Sequence, residues 1–441
     1  MKISLRNIGL IEKADVDING ITVIAGKNNT GKSTVAKSLY SVFKAFYNID
    51  YKIKFDIKNN INEIVNLIVS SYSDGKKEKI YILEIIENMK NLQDKFEFTY
   101  QVTLIENNDN FKSLSDKEKE IWKEYKEKIL KIFEIPNNKR KNKILNKYID
   151  AEFKGQINNI HTKQEGCIDI KIRENTIKIL SKNNNAIIDK EEISIKQEAT
   201  YIENSYVLNT LNDIGYFLDD KYHDDDLALK ITPHRLIEQT ITKIAKILEK
   251  LNTKQQYIEP EQGKENISKE IMIKEKFEKL NKIVNGKLIH KGNNIIYQSE
   301  NGYEFDIKNI SSGLKTLIVI KQLLINNRIQ EKDTLILDEP EIHLHPEWQL
   351  TLAEVIVLLQ KEFNLHILLS THSPYFLKAI EVYSKKHNIS DKCKYYLTND
   401  SDKNSIIIDD VTDETYEIYR LLAEPYNKLH EIERENITNE I

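Results

Sequence analysis

The chain has 441 residues, of which only 13 are glycine and 7 proline. Ordinary usage puts glycine near ~7% and proline near ~5%, so a collagenous, linker-like or turn-dense many-stranded protein is excluded, and long elements joined by few special turns are expected. Lys+Arg 65 against Asp+Glu 69 leaves a net charge of −4, which gives no global attraction to nucleic acid or an acidic membrane; any such contact needs a local patch.

The first 25 residues predict strands: ISLRNI, then ADVDI, then the apolar run ITVIA, with Asn19-Gly20 as a hairpin turn between the second and third. After Gly26-Lys27-Asn28-Asn29-Thr30-Gly31-Lys32-Ser33 the spacing of Val35, Leu39, Val42 and Phe43 predicts an amphipathic helix. Residues from about 50 to 150 are strongly charged and helical in pattern, with Ile121, Tyr125, Ile129 and Ile132 at helical spacing. Only FEFTYQVTLI (96–105) breaks the pattern, and its alternation predicts a strand. Strand patterns return at 167–173, 176–180 and 199–203. Ile237, Ile241, Ile244, Leu248 and Leu251, then Ile273, Phe277, Leu280 and Val284, follow a/d spacing across a polar loop. They fit either a short antiparallel coiled coil or two amphipathic helices laid on a core. Further strands follow 286, then strongly patterned α/β sequence to the end: TLILDE, a helix from about 347, HILLSTH, a helix from about 375, KYYLT, SIIID and a last helix.

The expected organisation is therefore an α/β head built from two chain segments. Its parts are residues 1–49, an inserted charged helical lobe at 50–165, return strands at 166–225, a helical hairpin at 226–285, and a carboxy-terminal part at 286–441. Cys167 and Cys393 are the only cysteines, which excludes a disulfide framework or a cysteine-rich zinc site. With no apolar run near ~20 residues and no apolar leader in MKISLRNIGLIEKADVDI, the cytoplasm is the expected location.

The chemistry concentrates at four places. Gly26 to Ser33 is a G-x-x-x-x-G-K-S loop between a buried strand and a helix. Its glycines let backbone N–H groups wrap a phosphate, Lys32 reaches the β- and γ-phosphates, and Ser33 ligates Mg²⁺. Leu335-Ile336-Leu337-Asp338-Glu339 is an apolar strand ending in two acids, which places them at the sheet edge where ligands of α/β folds bind. Asp338 suits Mg²⁺, in direct contact or through water, and Glu339 the general base. Ser370-Thr371-His372-Ser373-Pro374 ends the next strand, and Pro374 opens a helix where no N–H is needed. Ser311-Ser312-Gly313 precedes the helix LKTLIVIKQLL and reads either as a plain cap or as an anion-binding turn.

The set GKNNTGKST, ISSG, LILDEPEIHLHP and LLSTHSP, in that order around a large insertion, resembles the ABC-type ATPase heads of the SMC, RecF, Rad50 and OLD class. It is most similar to the compact AAA_15/AAA_21 proteins of bacterial defence, such as the Septu and PARIS ATPases. That resemblance implies a P-loop ABC-type head with an inserted lobe and a short coiled coil, in which two heads sandwich two ATP molecules with Mg²⁺. It makes Gly26 to Thr34 the Walker A loop, Asp338 and Glu339 Walker B with the catalytic base, and His372 the γ-phosphate switch. It also makes Ser311 to Gly313 the signature loop acting in trans, and places the D-loop at His343 and His345. The signature departs from the common Ser-Gly-Gly-Gln, and His345 stands where transporters carry aspartate. Tyr201-Ile202-Glu203-Asn204 is the Q-loop candidate.

No Toprim domain fits in the 67 residues after Pro374; Asp400-Ser401-Asp402 reads as a hairpin turn. The resemblance implies an ATPase whose head pairing, as a homodimer or a higher even oligomer, controls a separate nuclease or toxin in anti-phage defence. The alternatives are a RecF/Rad50-like ATPase that clamps DNA, and an ATP-sensing scaffold with little turnover. The basic run Lys139, Arg140, Lys141, Lys143 and Lys147 either meets DNA or RNA phosphates or forms a solvated helix face, and the acids between Asp219 and Asp226 either dock a partner or form a solvated loop.

Overall fold

The computed structural model describes residues 1–72, 81–90, 92–162, 164–197, 199–203, 277–291, 294–325, 329–401 and 405–439. Two compact units are present, one made of residues 1–44 and 148–441 and the other of 45–147.

Among the described residues the first unit is built on an eleven-stranded sheet in the order β6-β5-β4-β1-β2-β14-β13-β3-β12-β11-β7. Its parallel half consists of β13 (Cys393–Asp400), β3 (Ile21–Ala25), β12 (His366–Thr371), β11 (Thr334–Asp338) and β7 (Ala199–Ile202). β3 and β11 are buried at every position, which is why ITVIA and TLILD read as continuous apolar runs and not as alternation. The other half is an antiparallel wing of β1 (Lys2–Ile8), β2 (Ile11–Asp17), β4 (Gly166–Ile172), β5 (Asn175–Lys182) and β6 (Asn185–Glu191). β14 (Ile406–Asp410) joins the halves, parallel to β2 and antiparallel to β13. Asp400 ends β13 and Ser401 follows it; Asp402 lies outside the described residues.

Asn19-Gly20 does not close a hairpin. β2 and β3 are separated by β14 and β13, so the turn passes the chain from one half of the sheet to the other. Gly20 has φ +90, and a Cβ there would lie 2.3 Å from the Lys392 carbonyl oxygen. The turn chemistry is satisfied, but the pairing partners come from the far end of the chain.

Helices flank the parallel strands. α1 (Lys32–Phe46) buries Val35, Leu39, Val42 and Phe43. Beyond the return strands, α8 (Glu278–Ile283) belongs to a core that includes Phe277, Leu280 and Val284. The partner helix expected around 237–251, and the acids 219–226, lie outside the described residues. A small sheet of β8 (Gly286–Lys291), β9 (Asn294–Ser299) and β10 (Glu304–Asp306) precedes α9 (Ser312–Ile325). α10 (Pro346–Phe363) and α11 (Pro374–Lys386) each start on proline, and α12 (Tyr416–Asn439) ends the unit.

The second unit is helical. α2 (Ile49–Tyr72), α3 (Tyr81–Asn88), α4 (Lys95–Glu106), α5 (Asp109–Lys112), α6 (Asp116–Glu134) and the start of α7 (Asn137–Phe153) form it. α6 buries Ile121, Trp122, Tyr125, Ile129 and Ile132, and carries a capping box between Ser115 and Glu118. The strand expected at 96–105 is instead α4. Its β-branched and aromatic residues suggested a strand, but the Asp94 side chain accepts the Glu97 N–H at 2.8 Å and Phe98 buries against Tyr125 and Phe133. A side-chain cap and tertiary packing override β-propensity here. The basic run does not present five free cations. Arg140 is buried and meets Asp56 at 3.1 Å, and Lys143 meets the same carboxylate at 2.9 Å.

Candidate functional site

Strand register assembles the site. Ala25 pairs with Thr371, Asp338 with Ser370, and Leu337 with Ile202. One step further, Gly26, His372, Glu339 and Glu203 therefore leave neighbouring parallel strands at the same edge, at the ~4.8 Å strand spacing. The phosphate loop and two motifs more than three hundred residues further along the chain thus converge on the carboxy-terminal edge of the sheet.

The phosphate loop is fastened from behind. The Thr398 hydroxyl on β13 donates to Thr30 Oγ1 at 2.7 Å, and the Thr30 hydroxyl donates to the Lys27 carbonyl at 2.7 Å. A Cβ on Gly26 would lie 1.7 Å from Thr398 Oγ1, so only glycine fits. Gly31, at φ +77, lies where a Cβ would press on Ile11. Lys32 is 4% exposed, and its ammonium donates to the carbonyls of Lys27 (2.7 Å) and Gly26 (3.3 Å). Burial lowers the pKa of Lys32, whereas the charges of Glu339, Asp338 and Glu341 oppose that shift.

Asp338 is buried at the end of β11. Its two oxygens accept hydroxyls from Ser370 and from Tyr201, the latter at 3.0 Å. Glu339, with φ +49, turns away from the strand, and its N–H reaches Ser370 Oγ at 3.0 Å. Its Oε1 contacts His372 Nε2 and lies 4.0 Å from the Lys32 ammonium. The hydrogen bond with His372 foremost, and with it the nearby charge of Lys32, holds the Glu339 carboxyl below the usual range against the opposing effect of burial.

Two clefts flank the loop. One, of about 290 Å³, is lined by Ser33, Glu203, Thr316, Asp338, Glu339 and Ile342. The other, of about 430 Å³, runs from Asn29 to Thr34 past Gly9, Leu10, Gln156 and Ile160. Glu339 lines both. Ser33 and Asp338 share the first cleft, with a hydroxyl and a carboxylate of the kind Mg²⁺ takes. Among the described residues no cluster of three His, Cys, Asp or Glu side chains is placed to hold a metal by itself. The donor set therefore fits a Mg²⁺ whose remaining ligands are phosphate oxygens and water.

The remaining motif residues stand apart from these clefts. Ser311, Ser312 and Gly313 open α9, with Ser311 exposed, and line neither cleft. A Cβ on Gly313 would lie 2.8 Å from the His343 carbonyl oxygen, so the signature turn packs on the loop of its own chain that carries His343 and His345. Both of those histidines are exposed, and His345 accepts the Glu347 N–H at 3.4 Å as the cap of α10. Sequence reasoning missed Thr398 as the strut of the phosphate loop and the Tyr201 hydroxyl as a donor to Asp338. Tyr201 opens the Q-loop candidate, but nothing in the sequence links its hydroxyl to Asp338.

Glu152, Glu203 and Lys37 form an adjoining charged group, with Lys37 3.3 Å from Glu203. Burial, then the charge of Glu203, pushes Glu152 up to about 7, against Lys37. A carboxyl raised in this way contributes stability that is present below its ordinary pKa and is lost as pH rises through about 7. Glu152→Gln is therefore expected to gain on the wild type by about 2 kcal/mol between pH 5 and pH 8, the shift being discounted for partial solvent screening. Denaturant melts at the two pH values measure it, and an equal difference at both would contradict the shift.

The AAA ATPase domain family (AAA_15) matches residues 1–377. Over 92 residues the chain is 37% identical to the Retron Vc95 probable ATPase of Vibrio cholerae serotype O1 biovar El Tor, a match covering 18% of this chain and 17% of that protein. It thus spans about a sixth of the length of that relative. Similar solved structures include the SMC head domain from Thermotoga maritima, with TM-score 0.37 and 10% identity over 93% of this chain and 98% of that one. Another is a Smc head domain with an extended coiled coil bound to the C-terminal domain of ScpA, derived from Pyrococcus furiosus, with TM-score 0.40 and 12% identity over 98% of each. No helix among the described residues is long and apolar enough to cross a membrane. With the family model spanning most of its length and the phosphate loop, acids and histidine at one sheet edge, the chain belongs to the AAA ATPase domain family, AAA_15.

Proposed function

We propose that the protein binds and hydrolyses Mg-ATP, and that ATP-driven pairing of two heads controls a separate effector, a nuclease or toxin, in bacterial anti-phage defence. The observation that carries the hydrolytic part is the meeting of Lys32, Glu339 and His372 at one point. The resting ion group is self-satisfied, with Lys32 on loop carbonyls and His372 on Glu339. A triphosphate entering along residues 26–34 offers the Lys32 ammonium and the His372 imidazole a stronger anion, and Glu339 is then released to face the cleft. The carboxylate orients a water and takes its proton, while the loop N–H groups and the amino end of α1 hold the phosphates. Ser33 and Asp338 would hold Mg²⁺, which when bound would neutralise charge at the phosphates.

Pairing is supported by the signature turn, whose Ser311 is exposed and whose three residues line neither cleft of their own chain. The site would then be completed by Ser311 to Gly313 of a second head. The defence setting rests on the motif resemblance and on the partial match to a retron ATPase. The nucleic-acid reading loses support because Asp56 neutralises part of the basic run. The test is phosphate release from Mg-ATP by the purified chain, with its mass in solution measured with and without nucleotide. Release together with an ATP-dependent rise in mass is expected. A chain that binds ATP without release would be a sensor only, and no change in mass would refute pairing.

A further inference from the structure

Glu341 lies two residues beyond the candidate base and has no part in the mechanism above. It is 5% exposed. Its Oε1 accepts the Thr371 hydroxyl and the backbone N–H of His372, the latter at 3.1 Å. Thr371 Oγ1 in turn accepts the Ser373 N–H at 3.0 Å. The Ser373 hydroxyl donates to Gln349 Oε1 at 2.7 Å, and Gln349 Nε2 donates to the Leu344 carbonyl at 3.2 Å. The loop from β11 to α10 is therefore tied at both ends to the segment that carries His372. The second oxygen of Glu341, Oε2, is buried with no hydrogen-bond partner among the described residues. Leaving a carboxyl oxygen unsatisfied is costly, so fastening the loop alone does not account for a glutamate here.

We infer that Glu341 is a positioning residue for hydrolysis: its carboxyl fixes the backbone at His372 so that the imidazole meets Glu339. This inference rests on the hydrolytic reading of His372. Glutamine keeps a side-chain oxygen that can accept from the Thr371 hydroxyl and the His372 N–H, whereas alanine leaves both donors unpaired.

The experiment measures turnover and Mg-ATP affinity in the full chain for E341A, E341Q, H372A and the double variant E341A/H372A. E341A is expected to lower kcat by about 10-fold to 100-fold, the scale of a misplaced catalytic group. Its affinity for Mg-ATP, and the kcat of E341Q, are expected to stay within about threefold of wild type. In the H372A background, adding E341A is expected to cost under about twofold, because its route of action is already gone. A full additional loss there, or wild-type turnover in E341A, would overturn the inference alone. Unchanged turnover in H372A would overturn the reading of His372 and this inference with it. Should E341A fail to fold, T371V removes one donor to the same oxygen; its kcat is expected to fall with affinity held, and an unchanged kcat would count against the role.

Discussion

Replacing Lys32 with alanine is expected to abolish measurable Mg-ATP binding while leaving the fold intact. The ammonium is almost wholly buried under the loop and, among the described residues, is held by two backbone carbonyls and a carboxylate at 4.0 Å. Its removal leaves acceptors that the loop can turn to water, so stability should change little. The triphosphate suffers more, because truncating one partner of a buried, hydrogen-bonded charge pair costs about 2–5 kcal/mol, or roughly 30-fold to several thousandfold in affinity. Calorimetric titration with Mg-ATP, beside a thermal melt of the variant, checks this. Binding within a few-fold of wild type would move the phosphates to some other part of the head.

The second large effect is expected at Glu339. Glu339→Gln keeps the shape and can still contact His372, but it cannot accept a proton. General-base catalysis contributes about 10²- to 10⁴-fold, so turnover should fall by that range while ATP still binds. Under the pairing proposal the unhydrolysed nucleotide should hold two heads together, and the variant should accumulate as an ATP-dependent species of doubled mass. Size-exclusion with in-line light scattering detects it. Because His372 and Lys32 keep the carboxyl below its usual range only while they contact it, Glu339 should stay ionised into mildly acidic solution in the nucleotide-free wild type.

The parts of the fold that were legible are those where one local rule dominates. β3, β11 and β12 are buried nearly throughout, so their apolar runs stand out. Each is followed at once by residues chosen for chemistry, and parallel pairing then brings those residues to one edge. The pairing of β2 was not legible, because β14 comes from the other end of the chain and nothing near Asn19-Gly20 announces it. α4 was misread for the opposite reason: Phe98 and the cap at Asp94 decide a segment whose composition points to a strand. At the site, Lys32, Asp338, Glu339 and His372 could be named in advance because each occupies a fixed place in a motif. The supports could not. Thr398, 368 residues from Thr30, touches the phosphate loop only through the sheet, and the Tyr201 hydroxyl reaches Asp338 across a strand pair that sequence does not display.

The central claim is that this edge of the sheet hydrolyses ATP with Glu339 as the base. A single-turnover measurement tests it most directly, with enzyme in excess over Mg-ATP and wild type run beside Glu339→Gln. The wild type should convert its bound ATP to ADP and phosphate, and the variant should retain bound ATP uncleaved over the same interval. Equal conversion by the two proteins would contradict the assignment.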